Sequence, residues 1–89
     1  MKIVYDKGKD TINREKHGIS LERASELDWD AALSWPDNRQ DYGEERTAAL
    51  VPLSDRLYFV AFTDRSDERR IITLRKANNR EVRRYVEES

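Results

Sequence analysis

Arg69-Arg70-Ile71-Ile72-Thr73-Leu74-Arg75-Lys76-Ala77-Asn78-Asn79-Arg80-Glu81-Val82-Arg83-Arg84-Tyr85 is the stretch on which the fold turns. Its first half, Arg69–Arg75, alternates polar and apolar residues with the period of a strand. Successive strand side chains point to opposite faces. That assigns Arg70, Ile72 and Leu74 to one face, with the aliphatics expected to pack. Arg69, Ile71, Thr73 and Arg75 fall on the other, a half-exposed face with arginine at both ends. The second half opens as a helix. Asn78 is a good N-cap, Glu81 three residues on completes a capping box, and Ala77 and Val82 hold the staple positions around it. Val82, Tyr85 and Val86 recur at i, i+3 and i+4, the spacing of a buried stripe.

Working outward from this strand-turn-helix unit, Arg56–Thr63 is apolar on both faces and is expected to be a central strand. Arg46–Leu53 precedes it, with Pro52 suggesting an edge or a bulge. Ser54-Asp55 and Asp64–Asp67 are hairpin-type connections, so these segments form an antiparallel meander. Ala31–Trp35 is a further short strand that Pro36 ends. Pro36-Asp37-Asn38-Arg39 and Tyr42-Gly43-Glu44-Glu45 carry turn chemistry.

Nearer the start, Lys2–Tyr5 reads as a strand and Asp6 as the N-cap of a helix Lys7–His17. Ile12 is the clear aliphatic of that helix. Gly18 suits the position just past its end, and Lys16 and His17 lie where cations complement the helix dipole. Ser20 caps a second helix, about Leu21–Leu27, with Leu21, Ala24 and Leu27 (or Ser25) as its buried stripe. The short link between these helices predicts a helical hairpin. The fold class is therefore α+β: an N-terminal helical hairpin packed with an antiparallel meander of three or four strands, then a C-terminal helix. One domain over residues 1–89 is expected, without repeats.

Composition narrows the function classes. Charged residues (39%) outnumber apolar ones (37%), so the core is small and a partner that covers surface is favoured. The chain has no cysteine, which excludes disulfides and thiolate metal sites. Its one histidine offers no transition-metal cluster, and its three glycines are isolated, so no phosphate-cradling loop is present. No cofactor is expected. No apolar run approaches the ~18 residues of a membrane span and no signal-peptide core follows Met1, so a cytoplasmic location without membrane contact is expected. The net charge of −1 hides an asymmetry. Residues 1–64 hold 9 basic and 13 acidic side chains, whereas residues 65–85 hold 8 basic and 3 acidic. A basic segment on an acidic body is either a solvated helix face or an anion-binding surface.

The chain also resembles a known family. Tyr5-Asp6-x-x-Lys9-x-x-x-Asn13-x-x-Lys16-His17-Gly18-Ile19-Ser20 is followed by Leu21, Glu22 and Ala24. Asp37 with Arg39 comes next, then Tyr42-Gly43-Glu44-Glu45-Arg46. Arg70-Ile71-Ile72-Thr73-Leu74-Arg75-Lys76-Ala77 follows, with Glu81 and Tyr85 beyond. Each piece alone is weak, but the ordered set is similar to the BrnT family of type II toxin–antitoxin toxins. The resemblance implies a RelE-like fold and toxicity by RNA cleavage. It also implies neutralisation by a BrnA-type antitoxin with a ribbon-helix-helix DNA-binding part, so that operator DNA is reached only through the antitoxin. The alternative is a catalytically weak or inactive module of the same fold that binds antitoxin or RNA.

RNA cleavage without metal needs an activated 2′-OH, stabilisation of charge at phosphorus and protonation of the leaving 5′-oxygen. The catalytic candidates are Arg75, Arg80, Glu81, His17 and Lys16. Arg75 ends its strand on the open face, where its fork suits phosphate, although a salt bridge to Glu81 or to a carboxylate early in the chain is the structural alternative. Arg80 and Glu81 open the helix beside it, and Glu81 is either a base or simply the capping-box residue. His17 has the pKa range for acid–base work or serves as a helix-end fixture, and Lys16 is its cationic neighbour. The RNA-binding candidates are Arg46, which Glu44 or Glu45 would otherwise pair, Arg69, and Tyr85, whose spacing from Val82 also fits core packing.

Overall fold

The computed structural model describes residues 1–39, 41 and 43–89. Tyr42, part of the second turn read from sequence, lies outside them. Strands β1 (Lys2–Tyr5), β2 (Leu33–Pro36), β3 (Thr47–Leu53), β4 (Arg56–Arg65) and β5 (Glu68–Lys76) form one sheet in the order β1-β5-β4-β3-β2. Helices α1 (Lys7–His17) and α2 (Asn79–Glu88) accompany it. The class is α+β, but the sheet is larger than expected and mixed. The meander β3-β4-β5 is antiparallel through two-residue turns, and β2 extends it, whereas β1 pairs with β5 in parallel. No described helix is long and apolar enough to cross a membrane.

The N-terminal helical hairpin gives way to something tighter. Ser20 does cap the next element, its side chain accepting from the Glu22 amide at 3.1 Å, but Leu21–Glu26 is a 3-10 helix. The reason is in the spacing: Leu21, Ala24 and Leu27 recur every three residues, the period at which 3-10 side chains eclipse. All three are buried against the sheet. A second 3-10 turn, Trp29–Ala31, leads into β2.

Helix α1 has the expected ends. Asp6 accepts from the Lys9 amide, and Gly18 ends it at φ +69°, a conformation that glycine alone adopts freely. Its buried face is polar. Ile12 is 53% exposed, while Asp10 and Asn13 turn inward. Beyond Ile71, β5 has outrun β1 and presents unpaired backbone. Asn13 fills the gap like a short stretch of strand. Its Nδ2 donates to the Leu74 carbonyl at 2.8 Å and its Oδ1 accepts from the Leu74 amide at 3.1 Å. Asp10 accepts from the Leu21 amide at 2.7 Å and the Ser20 hydroxyl at 2.9 Å. Helix α1 is thus tied down by polar groups that satisfy backbone, as buried backbone requires.

The sheet buries both faces. On one, Ala49, Val51, Tyr58, Val60, Phe62, Ile71 and Leu74 pack under the first 3-10 helix. On the other, Ala48, Leu50, Phe59 and Ala61 pack with Leu33, Trp35, Leu57, Ala77 and Tyr85. β4 is central, as expected. β3 is also interior; Pro52 is tolerated because β3 outruns β2 there, its carbonyl accepting from the Asp28 amide.

Strand β5 departs from simple alternation. Its register against β4 slips between Ala61 and Phe62, so that Thr73 faces Ala61 while Ile71 faces Phe62. The extra residue, Ile72, is a β-bulge, and everything before it changes face. Ile71, rather than Ile72, is the fully buried residue beside Leu74. Arg69 and Arg75 consequently lie on opposite faces.

The last helix begins as expected: Glu81 N donates to Asn78 Oδ1 at 2.8 Å, and Asn78 N donates to Glu81 Oε1 at 2.9 Å. Its apolar stripe does not form a core. Val82 and Val86 are exposed, and α2 is anchored instead by half-buried Tyr85, whose hydroxyl donates to the Ala31 carbonyl at 2.8 Å.

Candidate active-site face

The face carrying Phe59 is covered by α2 over only part of its area. Where β5 meets α2, Arg75 leaves the strand and lies over the Phe59 ring, 4.2 Å from its centroid. Both arms of its fork donate to Glu81, at 2.9 and 3.0 Å. Glu81 therefore does two jobs, since Oε1 also accepts from the helix-capping amide of Asn78. Burial pushes the Glu81 carboxyl up, but the hydrogen bonds from Arg75 and the Asn78 amide, with the charges of Arg75 and Arg39, outweigh it and hold the group below the usual glutamate value. Glu81 is an anion at neutral pH.

His17 comes to the same region from the end of α1. Lys16 and His17 line a shallow groove with Asn13, Ile72 and Thr73. Partial burial lowers the pKa of the imidazole, and the positive charges of Arg75 and Lys16 lower it further. It is the neutral imidazole, able to accept a proton, that stands within electrostatic reach of Arg75 at pH 7.

A second cluster lies on the other side of Phe59. Asp37, just past β2, is buried, with its amide donating to the Arg46 carbonyl at 2.8 Å. Arg39 grips it through Nε at 2.8 Å and Nη2 at 2.9 Å, and its guanidinium lies 5.5 Å from the Phe59 centroid. The side-chain hydrogen bonds from Arg39, opposed by burial and aided by its backbone amide and by the charges of Arg39 and Arg46, hold the Asp37 carboxyl below the ordinary aspartate value. The guanidiniums of Arg39, Arg46 and Arg75 stand here among the carboxylates of Asp37 and Glu81, and Asp41, Glu44 and Glu45 line the Asp37–Arg46 side.

The structure thus brings together Arg75, Glu81, His17 and Lys16, with Arg46 across the sheet beside Asp37 rather than tied to Glu44 or Glu45. Arg80 is exposed on the outer side of α2, lining a shallow surface with Arg83, Arg84, Glu87 and Glu88. Tyr85 spends its hydroxyl on Ala31, and its neighbour Arg84 lies 4.0 Å over the Trp35 ring. Arg69 is not brought to this face. Beyond the bulge it sits 4.1 Å from the Phe62 ring and 4.6 Å from that of Trp29, and its fork holds Asp64 at 2.8 and 2.9 Å. Sequence reasoning overlooked Asp37 and Arg39 as site residues. The available signals were their place in the ordered family-like pattern and a two-residue spacing after Pro36, the latter indistinguishable locally from ordinary turn chemistry.

No curated protein matches the chain. A family model described as the ribonuclease toxin BrnT of type II toxin–antitoxin systems does match, over residues 5–81, which include Lys16, His17, Asp37, Arg39, Arg46, Arg75 and Glu81. The chain therefore belongs to the BrnT family of type II toxin–antitoxin ribonuclease toxins.

Proposed function

We propose that the chain is an endoribonuclease toxin that cleaves RNA without metal at the junction of α1, β5 and α2, and so inhibits translation and growth. The observation that carries this reading is the convergence of a neutral imidazole, a phosphate-shaped guanidinium and a lysine at one sheet face. His17 takes the proton of the ribose 2′-OH. The 2′-oxygen attacks phosphorus, the bond from phosphorus to the 5′-oxygen breaks, and the leaving oxygen takes a proton from solvent or a neighbouring cation. The products are a 2′,3′-cyclic phosphate and a 5′-hydroxyl. Arg75 binds the phosphate oxygens as their charge builds, since a guanidinium fork matches two of them. Lys16 supplies further positive charge, Arg46 binds flanking phosphate, and Arg80, on the outer side of α2, contacts RNA only beyond the reacting linkage. Glu81 positions Arg75 and yields to the incoming phosphate.

The finer family expectations fit the same reading: one toxin domain with a RelE-like arrangement, acting in the cytoplasm. A BrnA-type ribbon-helix-helix antitoxin neutralises it and alone contacts operator DNA. The test is cleavage of a defined RNA by partner-free protein in chelator, with the cyclic phosphate identified in the product. Arg75→Ala and His17→Gln are expected to lower the rate by 10²-fold or more, on the order of one lost electrostatic or acid–base contribution. Because the imidazole pKa is lowered, the rate should be flat around pH 7 and fall only on acidification below 6.5. Intact RNA together with harmless expression of wild type would sink the reading.

The closed Arg75–Glu81 fork favours one alternative, a catalytically silent module that binds antitoxin or RNA. Such a module would bind RNA with a steep salt dependence yet leave it uncut.

A further inference from the structure

We propose that Arg39, held by the buried carboxylate of Asp37, forms a second phosphate subsite next to Arg75, so that this face grips two neighbouring phosphodiesters of one RNA strand. The inference rests on the ribonuclease reading and deepens it. Arg39 and Arg75 reach the Phe59 ring from different elements, one from the turn after β2 and one from the end of β5. The two guanidiniums therefore flank one ring, no further apart than their two centroid distances combined. That ring is 4% exposed, which makes it a floor beneath the cations rather than a surface for a stacked base.

The two arginines share a design. Each is gripped by a bidentate carboxylate, Asp37 for Arg39 and Glu81 for Arg75. Asp37 holds Arg39 through Nε and Nη2, and Glu81 holds Arg75 through Nη1 and Nη2, so each guanidinium plane is fixed while Nη1 of Arg39 and Nε of Arg75 are turned away from the carboxylate. Fixing a long side chain in advance removes an entropy cost from binding. The asymmetry between the pairs assigns different roles. The Asp37 side chain is 1% exposed while that of Arg39 is 64% exposed. A carboxylate so deeply placed stays put, so Arg39 keeps its orientation when substrate arrives. Glu81 and Arg75 are both partly exposed, at 17% and 26%, which suits a pair that opens. Arg39 is therefore a static anchor for the flanking phosphate, and Arg75 serves the reacting one. Asp37 is a positioning residue. Single-stranded nucleic acid is the occupant favoured here, because two oriented guanidiniums flanking one ring suit successive anions of a flexible chain.

The experiment measures binding of a short RNA whose 2′-hydroxyls are methylated, so that cleavage is blocked. One phosphate at a time is neutralised as a methylphosphonate. Wild type should lose affinity on the order of tenfold at each of two adjacent linkages, one charge-assisted contact apiece. Arg39→Ala should become insensitive to one of them and lower the slope of log affinity against log salt by about 0.7. Asp37→Asn separates positioning from net charge. Removing an anion should tighten binding if charge alone matters, whereas loss of positioning abolishes sensitivity at that same linkage. If Asp37→Asn does not fold, Arg39→Lys carries the test, retaining the salt slope but losing the linkage selectivity. Should Arg75→Ala erase one linkage effect while Arg39→Ala erases none, the second subsite is overturned and the ribonuclease reading stands. Should Arg39→Ala impair only antitoxin binding, the site is a protein contact and the inference is equally overturned. If neither arginine affects RNA binding, the ribonuclease reading itself fails.

Discussion

At the scale of single residues, burial separates side chains that look alike in sequence. Arg69 and Arg75 were two strand arginines on one expected face, yet one bulged residue sends them to opposite sides of the sheet. Arg69 is then spent on Trp29, Phe62 and Asp64, each partner structural. Arg69→Ala is expected to cost about 1–2 kcal/mol of stability from lost cation–π and ion-pair contacts, while leaving RNA cleavage at the wild-type rate. Parallel urea unfolding and cleavage assays check it, and reduced cleavage in a well-folded variant would return Arg69 to the RNA face. Asn13 is the opposite case, a polar residue that behaves as core. Asn13→Ala strands the amide and carbonyl of Leu74 in the interior and should cost about 3 kcal/mol in the same unfolding experiment. A change under about 1 kcal/mol would show that water replaces the clamp.

Elements hold the site in place through their ends. Helix α1 delivers Lys16 and His17 because Gly18 turns the chain in a left-handed conformation immediately afterwards. Gly18→Ala has open space around the new methyl group but retains the backbone strain, about 1 kcal/mol. Thermal unfolding should show that loss, and cleavage should fall further than stability does, because His17 moves. Helix α2 reverses the expectation drawn from its apolar spacing. Val82→Ser and Val86→Ser should each change stability by no more than about 0.5 kcal/mol, since both side chains already face solvent. Tyr85→Phe should cost about 1 kcal/mol by removing the tether to Ala31. If the valine variants prove the more damaging, α2 packs differently from this arrangement.

For the molecule as a whole, charge placement matters more than net charge. An acidic body carries a cluster of guanidiniums, and the carboxylates beside them orient them. This arrangement makes stability pH-dependent in a definite direction. His17, Glu81 and Asp37 all have folded pKa values below their ordinary ones, so the unfolded chain binds protons more readily. Their contribution is complete above 6.5 for His17 and above 4.5 and 3.8 for Glu81 and Asp37, and is lost as pH falls through the lower, folded values. Urea midpoints measured from pH 8 to pH 3 should decline first shallowly and then steeply, and Glu81→Gln should flatten the steep limb. An unchanged limb in that variant would mean that Glu81 is not the acid-labile group.

Local chemistry wrote much of this protein directly into its sequence. The Asp6, Ser20 and Asn78 caps, the Gly18 stop, the Asn78–Glu81 box and the β3-β4-β5 meander depend on residues a few positions apart, and local signals suffice for such features. The ordered motifs also carried the family, which the match over residues 5–81 bears out. What the sequence could not disclose involves partners far along the chain. Parallel pairing of β1 with β5 joins segments more than sixty residues apart. The Asn13 clamp exists only because β5 outruns β1. The bulge at Ile72 is visible only against β4, and it decides which arginine faces the site. Asp37 and Arg39 join this face only when β2 closes beside β3, which brings Arg39 over Phe59. Backbone satisfaction and sheet register, both nonlocal, made those choices.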